Sequence, residues 1–306
     1  MTVTLANAAL AMALLVGGAA WAAIVDHVMR SGVKGGSLQL ADRVRTFLSL
    51  LFAPDPGHQR IDRVLFRGAA PVAITAVGLG AIVVPIGDST AALPGPQLAV
   101  GIFFYLVVLD VMAVALFMAG WGANARPGTE AAFLAGAQLV SYLIPLGFAV
   151  TGAVMAAESL SATTLVLHQR VPFGLWQPLG LAIYLVAAMG QTYRPPVDLP
   201  VGGDVDVRVE YRGAARRLLD GSLYAVWFLA ASMGVLLFLG GWRGPWLPGQ
   251  IWFVLKTTLL LIMMAWLGVR FRRLTMAQLI RGAWLVLIPA SIFNVILVGI
   301  LMMLAS

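Results

Sequence analysis

Long apolar runs, separated by short charged or Gly/Pro-rich breaks, recur from one end of the chain to the other. Read run by run they give eight spans, roughly 4–25, 68–87, 97–120, 131–156, 173–190, 221–241, 249–268 and 283–304. Most have about the length that a helix needs to cross a hydrocarbon core of about 30 Å. Stretches such as 5–25 are apolar all round, without the two-residue alternation of a barrel strand. The predicted fold is therefore an all-α polytopic membrane protein of about eight transmembrane helices, forming a single transmembrane domain over 1–306.

Two of the breaks are more than connectors. In 38–53 the side chains of Val44, Phe47, Leu48, Leu51 and Phe52 share one helical face, with Asp42, Arg43, Arg45, Thr46 and Ser49 on the other. This pattern predicts an amphipathic helix lying in the membrane interface, either a general surface anchor or the rim of a site entered from the lipid. The segment 191–217 is polar, carries both charge signs, and holds Arg194, Pro195, Pro196, Asp198 and Pro200 within seven residues. Proline at that density predicts a rigid loop.

Composition fits the pattern. The chain of 306 residues is 60% hydrophobic and only 11% charged, where a soluble domain carries about a quarter charged residues. Its net charge of +7 would raise nucleic acid as a partner in a soluble protein, but here it reports topology. The loops after spans one, three, five and seven hold seven, one, five and four Lys/Arg, seventeen of the twenty. The positive-inside rule then predicts cytoplasmic odd-numbered loops and both termini outside. No Cys is present, which excludes thiolate metal sites, iron–sulfur ligation and disulfides in this chain. His27, His58 and His168 lack metal-like spacing. The first basic residue is Arg30, so the first helix is expected to be retained rather than cleaved as a signal peptide. Gly78-x-Gly80 lies inside an apolar span and reads as a close helix contact, not a nucleotide loop. With no catalytic triad, Walker loop or zinc motif, catalysis by this chain alone is not expected.

Short fragments in a fixed order carry a resemblance. They are Asp62-Arg-Val-Leu-Phe66 with Ala70-Pro71; Gly120-Trp121; Gln138-Leu-Val-Ser-Tyr142 with Ile144-Pro145-Leu146-Gly147; Arg194-x-Pro196-x-Asp198-Leu199-Pro200; Glu210-Tyr211-x-Gly213; Leu236 to Trp242; and Trp252-Phe253 with Leu255-Lys256. Arg273-Leu274, Gln278-Leu279, Trp284 and Pro289 follow. From about residue 38 to 298 the sequence resembles the H-type membrane subunits of NADH-quinone oxidoreductase (complex I), a family with homologues in membrane-bound hydrogenases.

That resemblance implies a membrane subunit, in a bacterial or archaeal inner membrane, that shapes a quinone chamber and couples quinone reduction to proton translocation. It implies iron–sulfur peripheral-arm subunits and antiporter-like membrane subunits as partners, with quinone and lipid bound non-covalently and no metal or flavin in this chain. Arg45 matches a basic family position, Arg194 and Asp198 match loop residues near the quinone headgroup, and Glu210 and Tyr211 complete the junction candidates. The sequence also departs from the family: Gln191, Leu143 and Leu223 stand where acids are usual. A quinone-inactive anchor of a hydrogenase-like or other redox complex is therefore the alternative, ahead of a stand-alone transporter.

The remaining polar positions carry two readings each. Asp110, in mid-span where the family has Glu, costs about 2.5–3.5 kcal/mol to insert ionised and must be paired, protonated or turned inward. It is a proton-pathway residue or a hydrogen-bonded packing residue. Asp220 reads as a second proton-pathway candidate or an ion pair with Arg216 and Arg217, and Lys256 as a third or a snorkelling cation. Tyr142 and Gln138, one turn apart, read as an interhelical hydrogen-bonding pair, and Asp26 as a boundary charge.

Overall fold

The computed structural model describes residues 5–34, 61–86, 98–202 and 205–305. The interfacial helix expected over 38–53, with Arg45, lies outside them. In chain order the helices are α1 (Leu5–Lys34), α2 (Arg63–Val83), α3 (Gly101–Gly122), α4 (Arg126–Ala157), α5 (Ala162–His168), α6 (Phe173–Trp176), α7 (Pro178–Gln191), α8 (Leu199–Gly202), α9 (Gly213–Phe238), α10 (Gly249–Arg270), α11 (Met276–Gly282) and α12 (Ile288–Ala305). No strand occurs among the described residues. The architecture is the all-α polytopic one that the apolar runs predict.

Among the described residues seven crossings are long and apolar enough to span a membrane: α1, α2, α3, α4, α9, α10 and the α11–α12 unit. A π-helical turn, Ala283–Leu287, joins that last pair just before Pro289, whose missing N–H prevents the regular ladder from closing there. The fifth expected span differs. Pro178 starts a new helix and divides 173–190 into α6 and the 14-residue α7. At 1.5 Å per residue α7 is only about 21 Å long, short of the core thickness.

Local chemistry sets the helix ends. Asp62 caps α2 by accepting from the Val64 and Leu65 N–H groups. Thr275 and Gln278 form a reciprocal capping box at α11. Lys256, on α10, donates to the carbonyls of Leu239 (2.6 Å), Gly241 (3.1 Å) and Arg243 (2.7 Å), where α9 has run out of partners.

Small residues let the helices approach. A Cβ on Gly120 of α3 would overlap the Gly128 carbonyl of α4, and one on Gly80 of α2 would sit 2.9 Å from Leu109 of α3. The second contact is the one expected of Gly78-x-Gly80. At the centre α9 packs against α1, α2, α7 and α10, burying Trp227, Leu229 and Phe238.

The connections gather at two ends. At one, Asp62 N–H donates to the Gly122 carbonyl (2.9 Å) and Leu274 N–H to the Pro196 carbonyl (2.9 Å). At the other, the buried Gln169 donates to the Leu236 carbonyl (2.7 Å) and accepts from Gly240 N–H (3.0 Å).

Candidate functional site

The Pro-rich segment after α7 is held from beneath. Gln138, fully buried on α4, donates from Nε2 to the carbonyls of Gly190 (2.7 Å) and Val197 (2.8 Å), clamping the segment at both sides of Arg194. The peptide between Pro195 and Pro196 is cis. On the far side, Asp198 pairs with Arg273 (3.0 Å), which also donates to the Gly202 carbonyl.

This positions Arg194 over the membrane helices. Its guanidinium carbon lies 4.0 Å from the Tyr224 ring centroid and 4.6 Å from that of Trp227, both on α9. Its Nη1 pairs with Asp26 Oδ2 of α1 (3.2 Å), which also accepts from the Tyr224 hydroxyl (3.2 Å). Arg30 Nε donates to the other carboxylate oxygen of Asp26 (2.8 Å). A buried carboxylate is thus satisfied by two cations and a hydroxyl.

A second ion cluster closes the segment. Arg208 pairs with Asp206 (2.9 Å) and Asp220 (2.6 Å), and Arg216 pairs with Asp220 (3.2 Å). Burial works against the Arg208 charge, yet the two carboxylates outweigh it and its pKa is raised. For Asp198 burial dominates: it pushes the carboxyl up from its ordinary value against the pull of Arg273, a backbone hydrogen bond, then Arg30 and Arg194.

Between these groups lies a cavity of about 520 Å³, bounded by Asp26, Arg30, Arg194, Asp198 and Tyr224. A neighbouring one of about 290 Å³ shares Asp26, Arg30, Arg194 and Arg273 and continues along Trp227, Met264 and Val269. A polar compartment at the end of the helices therefore adjoins one that is charged at Asp26, Arg30, Arg194 and Arg273 and apolar along α9 and α10.

Asp110 forms a separate group. Its Oδ1 accepts from the Tyr142 hydroxyl of α4 (3.2 Å) and from Gln191 Nε2 at the end of α7 (3.2 Å).

A family model described as NADH dehydrogenase matches residues 1–299. An H-type subunit of NADH-quinone oxidoreductase from Rhodopseudomonas palustris is 36% identical over 279 residues, covering 89% of this chain and 84% of that protein. The corresponding H-type subunit of Dehalococcoides mccartyi is 33% identical over 267 residues, with 86% and 75% covered. That of Geobacillus kaustophilus is 32% identical over 274 residues, with 87% and 81% covered. The protein belongs to the family of H-type NADH-quinone oxidoreductase subunits.

As a member of that family it is a membrane subunit of a multi-subunit complex. Of the residues singled out from the sequence, Arg194, Asp198 and Asp220 line the larger cavity. Asp220 does so within its ion pairs to Arg208 and Arg216. Tyr211 instead stacks on Phe66 at 3.9 Å and donates to the Phe66 carbonyl (2.6 Å), tying the segment to α2; burial raises its pKa. Glu210 sits in the turn before it. Lys256 is at the other end of the bundle, on its three carbonyls. Gln138 and Tyr142 bond to different partners: Gln138 to the carbonyls of Gly190 near the end of α7 and of Val197 beyond it, Tyr142 to Asp110 of α3.

Asp26, Tyr224, Trp227 and Arg273 also contribute to this site, although their places along the sequence do not announce it. The i,i+4 spacing of Asp26 and Arg30 was the available signal for the first. Nothing local marks the aromatic pair as the bed of a guanidinium.

Proposed function

We propose that the chain forms the lipid-side wall of a quinone chamber, and the surface on which the peripheral arm docks, in a complex I-like NADH-quinone oxidoreductase. The observation that carries this reading is the pair of adjoining cavities, polar beside Asp26, Arg194 and Tyr224 and apolar along Trp227, Met264 and Val269. A quinone has the same two halves. Its carbonyl oxygens accept hydrogen bonds from guanidinium or hydroxyl donors, and its isoprenoid tail needs an apolar wall.

The strong Lys/Arg bias toward this end of the bundle supports a cytoplasmic orientation. Iron–sulfur subunits would then dock over the 191–217 segment, with antiporter-like subunits beside the helices. The chain itself, without Cys, relies on those partners for its electrons. The proton-coupling part of the reading runs through Gln191, which donates to Asp110 and opens the segment that carries Arg194 and Asp198. A change of charge in the cavity displaces that segment and alters the hydrogen bonding of Asp110.

The test is photolabelling of the intact complex with an azido-quinone. Label is expected in peptides containing 193–202 or 220–230, displaced by excess unlabelled quinone, and reduced in Arg194→Lys together with quinone reduction. Normal quinone reduction by Arg194→Lys, with no label in these peptides, would overturn the reading. A quinone-inactive anchor is the second reading, favoured by one observation: Asp110 is the only acid in the middle of a span, and its two partners, Tyr142 and Gln191, are neutral. A complex that retains its peripheral redox subunits but neither takes label nor reduces quinone would decide for it.

A further inference from the structure

The end of the bundle opposite the cavities carries almost no basic residues in its connections. Arg170 and Arg243 are the only two in the described connections, and they are far apart in sequence. The fold brings them to one place. Arg243 Nη1 donates to the carbonyls of Leu167 (3.0 Å) and Gln169 (3.1 Å), the latter being the residue before Arg170. Arg170 itself is exposed. The one acid in the described connections of this end, Glu158, forms no ion pair with either, so Arg243 is anchored on the backbone beside Arg170 and neither arginine pairs with a carboxylate among the described residues.

Exposed apolar side chains flank them along the chain. Leu167, Val171 and Leu175 are exposed, and Trp246 is fully so, at 101%. Trp246 is presented by a braced turn rather than a loose one. Its own φ is +66°, prolines stand at 245 and 248, and Trp252 Nε1 donates to the Pro245 carbonyl (2.9 Å). Gly244 is packed so closely on the Trp252 ring that a Cβ there would overlap it.

Exposed Trp and aliphatic groups where membrane helices end belong to the bilayer interface, and unneutralised guanidinium groups favour phosphate. We propose that this face binds a phospholipid, with Arg170 and Arg243 on the headgroup phosphate and the acyl chains against Leu167, Val171 and Leu175. The apolar flank selects a lipid over free phosphate.

The test uses the intact complex, delipidated in detergent and titrated with phosphatidylglycerol, with bound lipid counted by native mass spectrometry. Arg170→Gln is the informative variant because the Arg170 side chain is exposed and forms no ion pair among the described residues. It should weaken lipid retention about fivefold with an unchanged melting midpoint, while Arg170→Lys keeps most of it. Millimolar inorganic phosphate should not displace the lipid. Equal retention by wild type and Arg170→Gln, or ready displacement by phosphate, would overturn the proposal. So would a photoreactive phenylalanine analogue at position 246 that crosslinks to another protein of the complex instead of to lipid.

Discussion

Arg194 answers three demands at once: its guanidinium carbon lies over the Tyr224 and Trp227 rings, and the group pairs with Asp26 and borders the polar cavity. A lysine supplies the charge but neither the planar stack nor the fork of donors, which makes Arg194→Lys the informative probe of the site. Its loop neighbour Asp198 is governed differently, because burial there exceeds the pull of Arg273, Arg30 and Arg194 and raises its pKa. The folded protein therefore binds that proton more readily than the unfolded chain, whose Asp titrates near pH 3.9, about the value in short peptides. Stability from this group is complete below that pH and is lost as pH rises through the folded value. Asp198→Asn lacks the contribution, so melting midpoints taken from pH 7 down to about 4 should show wild type gaining on the variant as pH falls. A gain in the opposite direction would mean that the pair with Arg273 controls the site instead.

At the scale of elements, the contact between α3 and α4 is set by backbone rather than by side chains. A Cβ on Gly120 would overlap the Gly128 carbonyl, whereas one on Gly136, also in α4, meets nothing within 4 Å. Gly120→Ala should therefore force the helices apart and cost about 1–3 kcal/mol, as overpacking does, and Gly136→Ala should stay within about 0.5 kcal/mol of wild type. Equal melting midpoints for the two variants would show that α3 and α4 are less tightly joined than that carbonyl contact implies. The apolar runs made these helices legible, since a membrane span is written in twenty consecutive residues. They did not reveal the break at Pro178, because α6 and α7 are apolar on both sides of it and only the proline signals the restart. They also left Lys256 open between proton pathway and snorkel, because the carbonyls that it holds belong to the end of a different helix.

Over the whole molecule, what was legible followed from sums along the chain, and what was not followed from contacts between distant parts of it. Span count and charge bias need no partner residues. The Asp26 site needs α1, the 191–217 segment and α9 together, and its acid has the sequence signature of any charge at a helix end. Gln138 is similar: one turn from Tyr142 it reads as half of a pair, and only the folded protein shows that it clamps the segment carrying Arg194. The charge bias makes a prediction about orientation that the absence of Cys renders clean, since any introduced thiol is the only one in this chain. Arg212 is exposed at the cavity end and Gln250 at the opposite end. With a membrane-impermeant maleimide added to intact spheroplasts, Gln250→Cys should label and Arg212→Cys should not; in inverted vesicles stripped of peripheral subunits the pattern should reverse. If Arg212→Cys labels from outside, the cavity opens away from the cytoplasm, and neither the docking surface nor the path for electrons could stand, however well a quinone fits between α9 and α10.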